Sequence, residues 1–204
     1  MLRSDLSPAI ALGVAAMVAA LAPACADPLP RPSVDYAATA RTPATGTRMK
    51  VAHGNGRMRV EVGAAGSSGA MTGLIDPKKK RMVMLTALPG MDKVALEMEL
   101  PEDFSFTDLP ADGARFGNDT VAGEACELWR TSEKVGSDPV EACITPDGIV
   151  MRAKATVNGK EQVVFEVIEL ARGPQDPALF EVPKGVKITK VPRSMQGMIP
   201  GLGR

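Results

Sequence analysis

Few side chains in this sequence are able to do chemistry, and their types and spacing set the first limits. Cysteine occurs three times, histidine once and methionine 12 times. Cys25 falls in an apolar N-terminal stretch, which leaves Cys126 and Cys143 as an internal pair. Redox-active cysteines usually sit as Cys-x-x-Cys beside a helix start, and these two lie far apart. An even pair in an exported chain reads as a structural disulfide rather than as a redox or metal-binding pair. His53 sits in His53-Gly-Asn-Gly56. A zinc site needs further ligands, and the cysteines are already committed. A Ser-His-Asp system would have to use this one ring. It reads instead as a solvated turn residue. Glu97, Glu99, Glu102 and Asp103 form an acidic cluster, but Glu97 and Glu99 share the wet face of one strand. A glycosidase also wants aromatic platforms, and aromatic content here is 3%. With no nucleophile–base pair in view, no enzyme, metal or cofactor is expected.

The methionines leave a choice. Met49, Met58, Met82, Met84 and Met151 fall on expected strands. Thioether sulfur suits Cu(I). Its deformability also suits the lining of a pocket for greasy ligands, but ordinary core packing is the plainest reading.

Composition narrows the class. Lys+Arg and Asp+Glu are both 24, so the basic excess of a nucleic-acid binder is missing. With one Trp and one Tyr, stacking platforms for bases are not expected. At 204 residues the chain is long enough for one domain with a real core.

The N-terminus carries an address. Arg3 gives a weak positive start, Ala9 to Ala22 is uncharged and apolar, and Ala24-Cys25-Ala26 fits small-x-small cleavage between Ala26 and Asp27. The run is shorter than the ~20 apolar residues of a comfortable span. A retained anchor and lipidation of Cys25 are the alternatives. For lipidation, Leu21 lies four residues before the cysteine with Pro23 intervening, which departs from a lipobox. The expected division is a signal peptide over 1–26, a Pro-rich leader over 27–32, one β-rich domain over 33–191 and a flexible tail over 192–204. Export to the periplasm of a Gram-negative envelope follows, with no integral span after signal removal.

The elements that would position these residues are strands. Val34 and Tyr36 mark a first strand over 33–41. Met49 and Val51 alternate with Arg48 and Lys50, and Met58, Val60 and Val62 alternate with Arg57, Arg59 and Glu61. Period-two alternation means one buried and one wet face. His53-Gly-Asn-Gly56 joins these two as a hairpin. Met71–Asp76 and Arg81–Thr86 form another around Pro77-Lys-Lys-Lys80, a basic turn read as solvated. Lys93 to Leu100 fits either a helical face or a strand; unbroken alternation and Pro101 favour strand. Glu102 to Asn118 is acidic and aperiodic, a long connection. Cys126 opposite Cys143 would pair Trp129 with Val140 and Ala125 with Ile144, and leave Leu128 against Glu141. Asn158-Gly159 turns the strand with Met151, Ala153, Ala155 and Val157 into Glu161–Leu170, where Val163, Phe165 and Val167 line one face while Val164, Ile168 and Leu170 make the other apolar too. That pattern reads as a strand covered on both sides. Asp176-Pro177-Ala-Leu-Phe180 reads as a capped helical turn, followed by a last strand over 182–188.

Several segments recur in a recognisable order: Gly56-Arg-Met-Arg-Val-Glu, Ile75-Asp-Pro-Lys-Lys-Lys-Arg-Met82, Val121-Ala-Gly-Glu-Ala-Cys-Glu-Leu-Trp129, Ala142-Cys-Ile-Thr-Pro-Asp-Gly148 and Gly173-Pro-Gln-Asp-Pro-Ala-Leu-Phe180-Glu-Val-Pro183. Over about Tyr36 to Ile188 this resembles an exported bacterial family, the domain-of-unknown-function 4412-like proteins. That family in turn resembles the lipoprotein carrier LolA and its receptor LolB. The resemblance implies a mainly β fold: a curved antiparallel sheet, a half-open barrel whose concave side is partly covered by short helices or loops. It implies a non-catalytic envelope protein that binds a lipid, an acyl chain or a lipoprotein. The expected lining is Met49, Val51, Met58, Val60, Met82, Met84, Met151 and Phe165. The alternative is a structural or protein-interaction module without a small ligand. Oligomeric state is left open.

Overall fold

The computed structural model describes residues 27–63, 70–86, 94–100, 112–131, 138–192 and 194. The expected signal helix, Cys25 and Ala26, the Gly/Ser loop over 64–69, Glu102, Asp103, the turn at 134–136 and the tail beyond 194 lie outside these residues.

The described chain is mainly β, with two short 3₁₀ turns at Pro77–Lys79 and Pro177–Phe180. The strands are β1 (Asp27–Pro28), β2 (Tyr36–Thr42), β3 (Thr47–Gly54), β4 (Arg57–Gly63), β5 (Ala70–Asp76), β6 (Arg81–Thr86), β7 (Val94–Glu99), β8 (Asp112–Val121), β9 (Glu124–Thr131), β10 (Glu141–Ile144), β11 (Val150–Val157), β12 (Lys160–Arg172) and β13 (Ile188–Lys190). They form one sheet in the order β1-β8-β9-β10-β11-β12-β2-β3-β4-β5-β6-β7-β13. Two antiparallel meanders, β2–β7 and β8–β12, are joined where β12 pairs with β2. The outer strands β1 and β13 are not paired with each other, so the sheet is open rather than a closed barrel. Both are two or three residues long, and short edges resist further strand pairing.

Local signals account for the hairpins. Asn55-Gly56 and Asn158-Gly159 each hold two residues at positive φ, the geometry of a two-residue turn that matches strand twist. Asp76 caps Pro77–Lys79 by accepting the Lys79 N–H, and Lys80 in the left-handed region ends the turn just before β6. Asp176 caps Pro177–Phe180 in the same way, through the Ala178 N–H. Residues 94–99 are the expected strand.

Other expectations are corrected. The segment up to Asn118 is not all connection: β8 begins at Asp112 and pairs along β9 to Val121. The last strand is 188–190 rather than 182–188, and it runs parallel to β7. The two apolar faces of β12 do not reflect double coverage. Register shifts lie between Val163 and Phe165 and between Val167 and Glu169, and each bulge resets which parity faces the core. Val167 and Leu170 therefore both meet β2 on its buried side, opposite Ala40 and Ala38. Within the 27–32 stretch Asp27 and Pro28 pair with β8, and Leu29 is buried with Trp129, Ala142 and Ile144.

A polar knot ties the leader and three elements together. Arg172 at the end of β12 donates from Nε to Asp147 (2.6 Å) and from Nη1 to Glu124 (2.9 Å). The Thr145 hydroxyl also donates to Asp147, and the Ser33 N–H donates to the Asp147 carbonyl at 3.0 Å. The Asp147 carboxyl is held below the usual carboxylate range, chiefly by the Arg172 hydrogen bond, with burial opposing it. A depressed folded pKa stabilises above the unfolded value of about 3.9 and is lost as pH falls through the folded one. Arg172→Met should therefore cost about 1 kcal/mol at pH 7, allowing for partial solvent screening. Urea denaturation should show the gap to the parent narrowing below about pH 4. A gap independent of pH would remove this account.

Candidate functional site

In β2–β7 the registers contain no bulge, so rows of cross-strand neighbours can be read directly. One face carries three rows. The first is Tyr36, His53, Met58, Ile75, Met82 and Met98; the second is Ala38, Val51, Val60, Gly73, Met84 and Leu96; the third is Ala40, Met49, Val62, Met71, Thr86 and Val94.

On β3–β7 burial falls from the first row to the third, while on β2 Ala40 stays fully buried. Met58 is 4% exposed, Met82 9% and Met98 3%. Val60, Met84 and Leu96 in the second row are half-buried. In the third, Met49, Val62 and Val94 are half-buried and Met71 is 45% exposed. One end of this face is sealed core and the other is an open apolar strip.

The eight expected lining residues divide along that gradient. All belong to the largest apolar cluster or pack against it. Val51, Met58, Met82 and Met151 are buried within the cluster. Met49, Val60, Met84 and Phe165 are partly buried at its margin. The sealed end is thus filled by the protein's own side chains. Met71, which was not singled out, is the most exposed residue of the strip. Its signal was its phase: it is in register with Val62 and Thr86.

His53 is a correction. It lies on β3 rather than in a solvated turn, is buried, stacks on Tyr36 with ring centroids 5.5 Å apart, and its Nδ1 is 2.9 Å from the Val34 carbonyl oxygen. The Tyr36 hydroxyl is pushed up to about 12, first by burial and then by the negative charge of Asp147. These two rings seal the core and face no open site.

Cys126 and Cys143 are bonded, with Cα atoms 5.3 Å apart. The expected register is corrected by two residues: Cys143 stands opposite Leu128 and Ala142 opposite Trp129, so the disulfide runs diagonally from β9 to β10. A two-residue slip keeps each side chain on its face. It also replaces the mismatch of Leu128 with Glu141 by an Arg130–Glu141 ion pair. Among the described residues no group of three or more His, Cys, Asp or Glu could hold a metal, and no helix is long and apolar enough to cross a membrane. Glu97 is engaged by Arg81 and Lys190.

No protein-family model matches the chain. No curated protein matches it either. Solved structures do. PNGF-II superposes with a TM-score of 0.50 at 14% identity over 80% of this chain and 32% of that one. An uncharacterised conserved protein from Thermus thermophilus gives 0.54 at 15% identity, over 78% of this chain and 91% of that one. The Pseudomonas aeruginosa MucA/MucB complex gives 0.49 at 10% identity, over 78% and 59%. This chain thus spans about a third of PNGF-II and nearly the whole of the Thermus protein. At such identities the likeness to the first two establishes a shared fold, a broad and mainly antiparallel sheet, and no activity.

Proposed function

We propose that this chain is an exported, non-catalytic module of the bacterial cell envelope that engages a protein partner through the open apolar strip. The observation that carries this reading is the burial gradient: a sheet face that is solid core at Met58 and Met82 ends in Met49, Val62, Met71 and Met84 with part of their surface in water. Large apolar side chains grouped at a surface mark an interaction site more often than chance exposure does. Methionine adapts to a partner's shape. Export rests on the signal-like residues 1–26, with cleavage between Ala26 and Asp27, and on the bonded cysteines, which suit an oxidising compartment. Cleavage there leaves Asp27 as the first residue of β1. A soluble periplasmic protein is favoured over a Cys25-anchored one.

A second reading rests on the strip being mostly apolar, with Thr86 its one polar side chain. A lipid or acyl chain could lie along it, as the half-open-barrel carriers would suggest. A photo-crosslinking amino acid at Met71, introduced in exporting cells, separates the two. A protein adduct is expected. A lipid adduct alone would favour the second reading. Labelling no greater than from the same residue at Val157, exposed on a hairpin elsewhere, would refute both.

A further inference from the structure

The opposite face of β2–β4 carries a second, differently built surface. Two rows cross it. One is Ala171, Ala37, Ala52 and Arg59; the other is Glu169, Thr39, Lys50 and Glu61. Three alanines side by side leave the sheet floor low, where longer side chains would otherwise fill the space. At one end the floor is walled by the segment around Pro177–Phe180. That segment is seated on Gly54, where a Cβ would lie 2.8 Å from the Phe180 ring. Arg57 stacks on the same ring and pairs with Glu181, and Arg59 donates to the Leu179 carbonyl at 3.0 Å. At the other end stands the Arg41–Glu166 ion pair. The result is an open trough of about 420 Å³ with Gln175 and Leu179 on its rim.

The charges over the trough are not all spent. Arg59 and Glu61 neutralise each other. Among the described residues, neither the Lys50 nor the Glu169 side chain has a hydrogen-bond or ion-pair partner. They lie two strands apart, about 10 Å at the backbone, with Thr39 between them. A cation and an anion held apart beside an alanine floor complement a ligand with the opposite charges and small groups next to them.

We infer that this trough is a docking site for an extended peptide segment of another protein. Small side chains of the segment rest on Ala37 and Ala52. An acidic side chain meets Lys50, and a basic one two residues away meets Glu169. Successive same-face residues of an extended chain are about 7 Å apart, and the length of the Lys50 and Glu169 side chains covers the rest of the separation. The inference does not depend on the apolar strip, which lies on the other face.

The test is selection of a phage-displayed random heptapeptide library on the purified, oxidised protein. Enriched peptides should share an acidic and a basic residue two apart, flanked by small residues. A fluorescent copy of one winner should lose about fivefold in affinity on Lys50→Glu, the scale of one ion pair. Lys50→Glu/Glu169→Lys should instead prefer the peptide with its two charges exchanged. Ala52→Leu should abolish binding while the thermal midpoint shows the fold intact. No enrichment, enrichment without the charge pair, or binding indifferent to all three variants would overturn the proposal, and none of these results bears on crosslinking at Met71.

Discussion

Gly148→Ala should be among the most damaging single-methyl changes available to this protein, at about 2–5 kcal/mol of stability. Two independent costs meet at this residue. Its φ is +83°, in the left-handed region that an L side chain adopts only at a cost of about 1–2 kcal/mol. Its Cβ would also lie 2.0 Å from the Arg31 carbonyl oxygen and 2.1 Å from the Arg31 carbonyl carbon. Those atoms are backbone and cannot swing aside as a side-chain end can. To admit the methyl, the leader must lift off the Thr145–Ile149 turn. Lifting it breaks the Ser33–Asp147 hydrogen bond, frees Leu29 from the Trp129 cluster and unpairs β1 from β8. Gly123→Ala is the control: its φ is +81°, and nothing lies within 4 Å of the added methyl. Denaturant midpoints should place Gly148→Ala well below Gly123→Ala, and amide exchange should show the 27–33 segment deprotected only in the former. Equal losses at the two glycines would mean that the leader is not clamped as described.

Removing the disulfide should be comparably costly. Cys126 and Cys143 are separated by 17 residues, and the chain-entropy estimate for closing such a loop is roughly 3 kcal/mol. Both cysteines are nearly inaccessible, so packing lost on truncation adds to the effect. The Cys126→Ala/Cys143→Ala protein should unfold at a markedly lower denaturant concentration. Reductant should lower the parent midpoint by a similar amount and leave the variant unmoved. A parent indifferent to reductant would show that the bond contributes little, and would take with it one of the two supports for an oxidising compartment.

Neither loss touches the proposed interaction surfaces directly. The leader and the disulfide act on β8–β10, whereas the open strip and the alanine trough are borne mostly by β2–β6 and β12. A variant destabilised at Gly148 but still folded should therefore keep crosslinking at Met71.

What could be read from the sequence is what neighbours along the chain decide. Asn55-Gly56 and Asn158-Gly159 announce their turns because positive φ is a property of the residues themselves. The phases of Met49, Met58, Met82 and Met84 are correct because alternation along one strand needs no knowledge of the next. Asp76 and Asp176 cap the turns that follow them for the same reason. The pairing of Cys126 with Cys143 was legible, but its register was not, since a two-residue slip leaves every face unchanged. β8 escaped notice because Gly113 and Gly117 interrupt its pattern; it is a strand by virtue of β1 and β9 on either side. His53 carried a turn signal that stacking on Tyr36 overrode. The bulges of β12 turned an apparently two-sided strand into one that meets β2 correctly. Tertiary structure alone decided how deep each methionine sits and that Ala171, Ala37 and Ala52 lie side by side. That row exists only because the last long strand docks beside the first, a contact between residues more than a hundred positions apart that no local pattern can encode.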